Sequence, residues 1–478
     1  MYGGAQKTNG PLSVITRGEI EAKGVEFGVK VADVERDYIF GWLLSAMYAS
    51  SSSLGNRLVL KGGNGLRKAY FPYTRFSADL DFSAQTQVDP EDIGRELNKA
   101  CDVVNTAAGV NFVTERTLVR EKRFSDDKQK IYEARLYFRD FYGNPNTIVI
   151  SVKLDISEFD KIYLPVQRRN LLHPYSDADK CIGAVRCLKL EEMLAAKLKC
   201  LLQRRMSSDL YDYVYAIFIN RDLEVNTGEI VSTLLKKTIF EPSPSVLVGL
   251  FLGLPFQVLR AAWDKYVVTP VASLIDFDVA VEQFSANMRT LFGRFTETAA
   301  NVSYFPASLR NKIMEAGAHL NVLRLAYSGV TRDVEPYSLV FKRRKDGFGQ
   351  EYLYVWDRTG GDRSGPGIKT FLHDRIEKLE ILPEQHYEPR YPVEISKAGE
   401  FGSKSYFSQA FGAGGGRPRR TRARVRYFGS RMVYVVECSY CHRRFTRTKS
   451  RTRLNRHKDQ YGNRCFGRAG SVVDQRYR

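Results

Sequence analysis

The sequence predicts an α+β protein of several domains, and three observations carry that expectation. At 478 residues the chain is longer than one ordinary hydrophobic core can serve. Its hydrophobic pattern changes along the way, from mixed helix and strand signals, to helical periodicity, to short alternating strands. Its charge is also uneven. Of the formal net charge of +19, residues 396–478 carry +17, with 21 Lys/Arg against four acids, and residues 1–395 carry only +2. The expected organisation is a mixed α+β domain over 1–220, a helical domain over 221–332 and a small β-barrel over 333–396. A Gly/Arg-rich linker over 397–429 and a basic, cysteine-containing module over 430–478 complete it.

The elements justify this division in order. Val31 to Tyr48 carries Ile39, Phe40, Leu43, Leu44 and Met47 at helical spacing. Leu58-Val59-Leu60 reads as a short strand closed by Lys61-Gly62-Gly63, and Leu66 to Tyr70 as the start of a helix. Ala78 to Ser83 alternates around Leu80 and Phe82, as a half-buried strand does. Asp92 to Val104 is helical, and Asp89-Pro90-Glu91 supplies cap chemistry before it. Tyr132 to Phe138 and Thr147 to Ile156 are strands, the second rich in β-branched residues. Leu188 to Ile219 is helical with a break near Met206-Ser207-Ser208, and Glu224 to Tyr327 is mostly helical. Tyr337 to Phe341, Tyr352 to Trp356, Lys369 to Phe371 and Ile376 to Leu382 then form the short strands of the barrel. Ser396 to Gly416 holds six glycines, and Arg417 to Arg426 six arginines.

Composition excludes several classes. A hydrophobic share of 43% and a charged share of 27% describe a globular chain. No apolar run reaches the ~18 residues of a membrane span; the nearest, Val246 to Leu259, is interrupted by Gly249, Gly253 and Pro255. Met1 to Gly10 has no secretory pattern, so a cytoplasmic location and no membrane partner are expected. Cys101, Cys181, Cys187 and Cys200 are scattered in mixed contexts as buried thiols would be, while Cys438, Cys441 and Cys465 crowd the C-terminal end.

The chemistry concentrates around two aspartates. Asp79 and Asp81, at i and i+2 on a strand, face the same way and can share a divalent cation such as Mg²⁺. Two such charges side by side are costly without a cation between them. The Gly62-Gly63 turn after a strand lets backbone N–H groups approach phosphate oxygens. Asp155 ends an apolar strand, where an acid is out of place unless it serves a site, and Lys153 on the same face can balance it. An isolated D-x-D is usually a solvated turn; the glycines before it and the strand-end acid after it make this one more specific. Lys197 falls inside the stripe Leu190, Met193, Leu194, Leu198, Leu201, Leu202, either as a snorkelling lysine or as a triphosphate contact. Asp209 and Asp212 face together at i and i+3. They suit a helix first turn capped by Ser207 or Ser208.

Lys61-Gly62-Gly63-Asn64-Gly65-Leu66-Arg67, followed by Arg75-Phe76-Ser77-Ala78-Asp79-Leu80-Asp81-Phe82, resembles the AbiEii/AbiGii nucleotidyltransferase toxin family. That family belongs to the DNA polymerase β-like minimal nucleotidyltransferases. The resemblance spans about Val31 to Ile219 and includes Val34-Glu35-Arg36-Asp37-Tyr38 and Leu190 to Lys197. It implies a polymerase β-like domain in which Asp79, Asp81 and Asp155 hold Mg²⁺ and, with Lys197, are catalytic. It further implies that Lys61, Gly62, Gly63, Arg67, Ser77, Lys153, Asp209 and Asp212 meet the NTP. Three positions depart from the family pattern: Asn64 replaces a threonine, Ala78 an acid, and Ser208 the arginine of Arg-Asp-x-x-Asp.

Glu335 to Phe341, Tyr354 to Arg358 and His373 to Ile376 resemble a WYL domain, a small SH3/Sm-like barrel associated with nucleic-acid or nucleotide sensing. Arg375 would face its ligand. Packing or dimerisation is the alternative use of such a barrel. Cys438-Ser439-Tyr440-Cys441 is half of a structural Zn²⁺ site, since thiolates at i and i+3 around a turn reach one tetrahedral ion. His457 and Cys465 are the preferred second pair, ahead of His442, which adjoins Cys441. Arg417, Arg419, Arg420, Arg443, Arg444, Arg447, Arg451 and Arg453 give this end a nucleic-acid-binding character suited to phosphate contact.

The expected function is a Mg²⁺-dependent nucleotidyltransferase toxin of a bacterial toxin–antitoxin or phage-defence system. It would transfer NMP from an NTP to an RNA acceptor, as the resemblance implies for a tRNA 3′ end, with a cognate antitoxin as possible partner. The competing readings are a DNA-binding WYL/zinc-finger regulator with an inert transferase domain, and nucleotidylation of a protein.

Overall fold

The computed structural model describes residues 15–123, 130–139, 149–203, 206–220, 222–296, 301–361 and 364–388. Nearer the C-terminus it describes 432–438, 441, 443–447, 452–458, 464–465, 467 and 469–477.

The chain enters through α1 (Arg17–Phe27), where the Thr16 side chain accepts from the Glu19 N–H. α2 (Val31–Met47) is buried along most of its length, so its apolar stripe broadens into a core helix. Then come α3 (Leu54–Arg57), β1 (Leu58–Lys61), α4 (Gly62–Ala69) and β2 (Asp79–Ala84). α5 (Pro90–Ala108) starts as its sequence predicts: Pro90 fills the first turn and the Asp89 carboxylate accepts from the Glu91 N–H. β3 (Asn111–Phe112), β4 (Leu118–Arg123), β5 (Lys130–Arg139), β6 (Val149–Glu158), β7 (Gln167–Asn170) and β8 (Ala184–Cys187) follow. α6 (Leu190–Gln203) and α7 (Ser207–Val214) close this part, the latter running into a π-helical turn over Tyr215–Ile219.

The eight strands form one sheet in the order β3-β5-β6-β2-β1-β8-β7, with β4 added to β5. β1 and β2 run antiparallel with Lys61 opposite Asp81, while β2 and β6 run parallel with Asp79 beside Lys153 and Asp81 beside Asp155. Side chains alternate between faces, so Leu80, Phe82, Val152, Leu154 and Ile156 fill the core on one face. Lys61, Asp79, Asp81, Ser83, Lys153, Asp155 and Ser157 share the other. This alternation makes a row of acids affordable at the centre of a sheet.

The helices α8 (Thr227–Lys237), α9 (Val246–Leu252), α10 (Phe256–Tyr266) and α11 (Phe277–Phe292) come next. Their buried side chains, among them Leu234, Phe251, Trp263 and Phe284, belong to the same continuous core as the sheet. The boundary expected at residue 220 therefore coincides with no break in packing. α9 and α10 are bent by 61° to each other, and no single helix among the described residues is long and apolar enough to cross a membrane.

A second sheet begins earlier than expected. After β9 (Val302–Ser303) and α12 (Ala307–His319), β10 (Asn321–Tyr327) already pairs with β11 (Val330–Arg343), so the strands start well before residue 333. The reason is local: Leu320 adopts the left-handed conformation at φ +56 and ends α12. β12 (Gly349–Asp357), β13 (Gly367–Phe371) and β14 (Ile376–His386) complete an antiparallel sheet of order β13-β12-β11-β10-β14, with β9 beside β12. Among the described residues β13 and β14 do not pair, so the sheet is a half-barrel, compatible with the small barrel expected, packed on α12. Arg310 of α12 joins the two sheets' layers. Its buried guanidinium donates from Nη2 to both carboxylate oxygens of Glu351 of β12, at 2.8 and 2.7 Å, and from Nη1 to the Leu202 carbonyl at the end of α6. The C-terminal strands are β15 (Met432–Cys438), β16 (Arg444–Arg447), β17 (His457–Lys458), β18 (Arg464–Cys465) and β19 (Gly470–Tyr477).

Candidate active site

Carboxylate oxygens of Asp79, Asp81 and Asp155 lie within 4.8 Å of one another. Strand pairing creates this cluster, since β2 contributes two acids at i and i+2 and its parallel neighbour β6 places Asp155 level with Asp81. Lys153, level with Asp79, puts its ammonium group in ion-pair contact with Asp155 and 3.5 Å from Asp79 Oδ2. The charge balance expected for Lys153 is thus what the chain adopts. The side chain of Asp79 is 31% exposed against 12% for Asp155, so the cluster opens to solvent on the Asp79 side.

The glycines do more than turn the chain. The helix expected from Leu66 starts at Gly62, and Lys61 is its N-cap. Gly62 sits at φ +73, and a Cβ there would fall 2.3 Å from Asp81 Oδ2. At Gly63 a Cβ would fall 2.7 Å from Arg75 Nη2 and 2.8 Å from Ser77 Oγ. The first turn of α4, a helix N-terminus, is therefore pressed against the carboxylates and the Arg75-Ser77 segment. Asn64, which stands where the family carries threonine, donates from Nδ2 to the Asp79 carbonyl at 2.6 Å. It thereby ties α4 to the start of β2.

Behind this turn lies a buried ionic cluster. Lys197 Nζ donates to Asp209 Oδ1 at 3.2 Å and lies 2.8 Å from Asp212 Oδ2. Arg75 grips Asp212 with Nε and Nη2, both at 2.8 Å. Burial works against the Arg75 charge, but Asp212 more than offsets it and, with Asp209 and Asp79, raises its pKa above the usual value. Lys197 is thus no snorkelling lysine. Neither Ser207 nor Ser208 caps α7 through its side chain, contrary to expectation, because Met206 is the N-cap and the Ser207 hydroxyl donates to the Leu259 carbonyl.

Two expected nucleotide contacts are otherwise engaged. Arg67 is buried, pairs with Asp37 at 2.7 Å, donates to the Thr74 carbonyl and stacks on Phe76, so its guanidinium pins α4 to α2. Lys61 pairs with Asp160 at 2.7 Å and reaches Ser157 Oγ at 3.2 Å, on the carboxylate face but one step beyond the cluster. Burial would raise the pKa of Asp160; Lys61, helped by Lys237, pulls it well below the ordinary range instead. Sequence reasoning left Arg75 out of the site residues although it lies inside the quoted motif. Its position four residues before Asp79 gave no sign that it would fold back onto Asp212. A cavity of about 480 Å³ lies elsewhere, walled by Val246, Leu250, Val302, Ser303, Tyr304 and His373.

The C-terminal module brings a second cluster together. Among Cys438, Cys441, His457 and Cys465 one ligand atom from each lies within 4.8 Å of the others. β17 and β18 pair with His457 directly opposite Cys465, which spans the long gap between them in sequence. The Cys438 and Cys465 sulfurs are 3.9 Å apart, and four thiolates about 2.3 Å from one ion would be roughly 3.8 Å apart. The His457 Nδ1 lies 2.9 Å from the Asn455 carbonyl, and Nε2, 3.3 Å from the Cys441 sulfur, is the ring nitrogen turned to the thiols. Arg443, Arg444 and Arg453 are exposed on this module and Arg447 is half-buried; Arg417, Arg419, Arg420 and Arg451 lie outside the described residues.

A mixed sheet with a carboxylate triad on one face, next to a helix opened by two glycines, is an arrangement suited to nucleotidyl transfer. The family model of the nucleotidyl transferase AbiEii toxin, type IV toxin–antitoxin system, matches residues 42–283. The chain belongs to this AbiEii family of nucleotidyltransferase toxins. Among solved structures, that of MenT4, a nucleotidyltransferase toxin from Mycobacterium tuberculosis H37Rv, is similar at 17% identity. It covers 59% of this chain and 91% of its own, with a TM-score of 0.40, a likeness too slight to bear on the reaction. No curated protein matches the chain.

Proposed function

We propose that the chain transfers a nucleoside monophosphate from an NTP to an RNA acceptor, the 3′ end of a tRNA being the first to test, and that it does so with Mg²⁺. The observation that carries the reading is the Asp79, Asp81 and Asp155 triad set against the first turn of α4. Three hard oxygen donors in one place, already drawing in the Lys153 ammonium, suit a divalent cation. When bound, such a cation neutralises charge on the reacting phosphates.

The chain's own residues supply the rest. The Gly62 and Gly63 N–H groups hold phosphate oxygens, with Ser77 beside them and Arg75 and Lys197 adding positive charge from behind. Asp209 and Asp212 fix those two cations, so that they arrive oriented at no cost during reaction. The acceptor hydroxyl attacks the α-phosphorus from the open Asp79 side and pyrophosphate leaves. We also propose that Cys438, Cys441, His457 and Cys465 hold a structural Zn²⁺, and that the arginines of that module contact nucleic-acid phosphates. A cognate antitoxin, phage defence as the setting and a cytoplasmic location complete the reading.

The test is incubation of purified protein with each labelled NTP and a tRNA pool. Label should enter RNA, and Asp81→Ala should abolish it. Label in protein alone would move the acceptor to a polypeptide. No label in any acceptor, joined with specific DNA binding that survives Asp79→Ala, would favour the regulator.

A further inference from the structure

The β11–β12 hairpin carries Lys342-Arg343-Arg344-Lys345-Asp346-Gly347-Phe348 at its tip. Gly347 at φ +83 makes the turn, and the Arg344 N–H donates to the Phe348 carbonyl at 2.8 Å. Four successive cations on so short a tip repel one another, and the nearest acids offset only part of that charge. Arg343 pairs with Glu241 at 2.9 Å and Arg344 with Asp346 at 2.9 Å, all four side chains being 41–55% exposed.

The hairpin does not project at random. Its root is clamped to the end of α8: Arg343 Nη2 donates to the Thr238 carbonyl at 3.3 Å, and the Gly349 backbone is packed on Ile239. From there a chain of contacts leads back to the carboxylates. Lys237 Nζ reaches the Lys161 carbonyl at 3.1 Å and lies 5.1 Å from the Tyr163 ring. Asp160 holds Lys61, which stands opposite Asp81 in the sheet. Lys161, Lys236, Arg343, Arg344 and Lys345 are exposed along this line. Aromatic rings accompany it: Tyr163 is 38% exposed, Phe348 lies 5.8 Å from the Arg344 guanidinium, and the half-buried Tyr352 lies 5.9 Å from Lys342 Nζ, while Tyr354 is buried beneath.

From this we infer that the ridge from Lys161 through Lys236 to the Arg343–Lys345 hairpin tip binds the sugar–phosphate backbone of the RNA acceptor and leads its reactive end to the carboxylate face. Guanidinium and ammonium groups interleaved with rings match a nucleic-acid strand, whose phosphates take the cations and whose bases or sugars pack on the rings. Residues 1–395 carry a net charge of only +2, so a local run of this density is a specialised feature of the body and is separate from the basic C-terminal module. The inference rests on the RNA-acceptor reading of the proposed function.

The test uses the full-length protein and a fluorescein-labelled tRNA, with binding followed by anisotropy across a salt series. The double variant Arg344→Glu/Lys345→Glu, both exposed at the hairpin tip, should bind about tenfold or more weakly. Its slope of log affinity against log salt should be shallower by about two contacts. The acceptor KM should rise with kcat and NTP binding unchanged. The matched reversal Arg324→Glu/Lys378→Glu, at the far end of the same sheet, should leave binding as in the wild type. Equal weakening by both double variants, or by neither, overturns the inference while leaving RNA as acceptor. Wild-type protein that labels only protein and binds no tRNA overturns both.

Discussion

Replacing Gly62 by alanine tests the site at its tightest point. The residue sits at φ +73, which costs an L-residue about 1–2 kcal/mol. The new Cβ would stand 2.3 Å from Asp81 Oδ2, where ordinary contact begins at 3.4 Å. The carboxylate must therefore retreat by about 1 Å, and a misplacement of that size can cost about a hundredfold in rate. Gly329 provides the control, because its φ is +78 and nothing lies within 4 Å of where its Cβ would be. Both alanine variants should lose similar stability in thermal unfolding. Added Mn²⁺ should stabilise the wild type, and only Gly62→Ala should lose that stabilisation and labelled-NTP transfer. A Gly62→Ala enzyme within about threefold of wild-type rate, under 1 kcal/mol of barrier, would refute the assignment of Asp81 to the reacting metal site.

Three other perturbations follow from the same geometry. Asp212→Asn removes the anion that holds Arg75 and Lys197, leaving two buried cations underpaired. Urea unfolding should show a loss of about 3–5 kcal/mol, and a loss under about 1 kcal/mol would show that the cluster is not what fixes α7 to α6 and to the segment before β2. Purified protein should carry one zinc per chain, and Cys441→Ser should shed it to a colorimetric chelator far faster than the wild type; metal-free wild-type protein with an intact C-terminal module would contradict the four-ligand site. The third concerns His173. Burial and the nearby Lys68 lower its pKa below 6.5, against the opposing pull of Asp177 and Asp37, and the rings of Tyr38, Trp42 and Tyr175 enclose it. Since the folded pKa is the lower one, its stabilising contribution is complete above about pH 6.5 and declines as the pH falls below that. The melting temperature should drop between pH 7 and 5, and His173→Gln should flatten that drop. An unchanged pH profile would place the titration elsewhere.

The clustering of the three carboxylates was legible because its geometry is local. Asp79 and Asp81 share a face through the period of a strand alone, and Asp155 was visible as an acid closing an apolar run. The Cys/His cluster was legible for the opposite reason. Three thiols and a histidine have few other uses at that end of the chain, and strand pairing of His457 with Cys465 closes the gap that spacing left open. What the sequence hid are partners far apart in the chain. Arg67 and Arg75 belong to the same motif and carry the same charge. One turns into the core to Asp37 and the other onto Asp212, and the choice depends on α2 and α7, which no local pattern connects to them. Lys61 illustrates the same limit, since its register opposite Asp81 is local but Asp160, which engages it, comes from a loop beyond β6. The start of α4 at Gly62 was concealed by propensity, because glycine is a poor helix residue. Here the close approach to Asp81 and Ser77 leaves no room for a Cβ, so tertiary contact overrides propensity at these two positions.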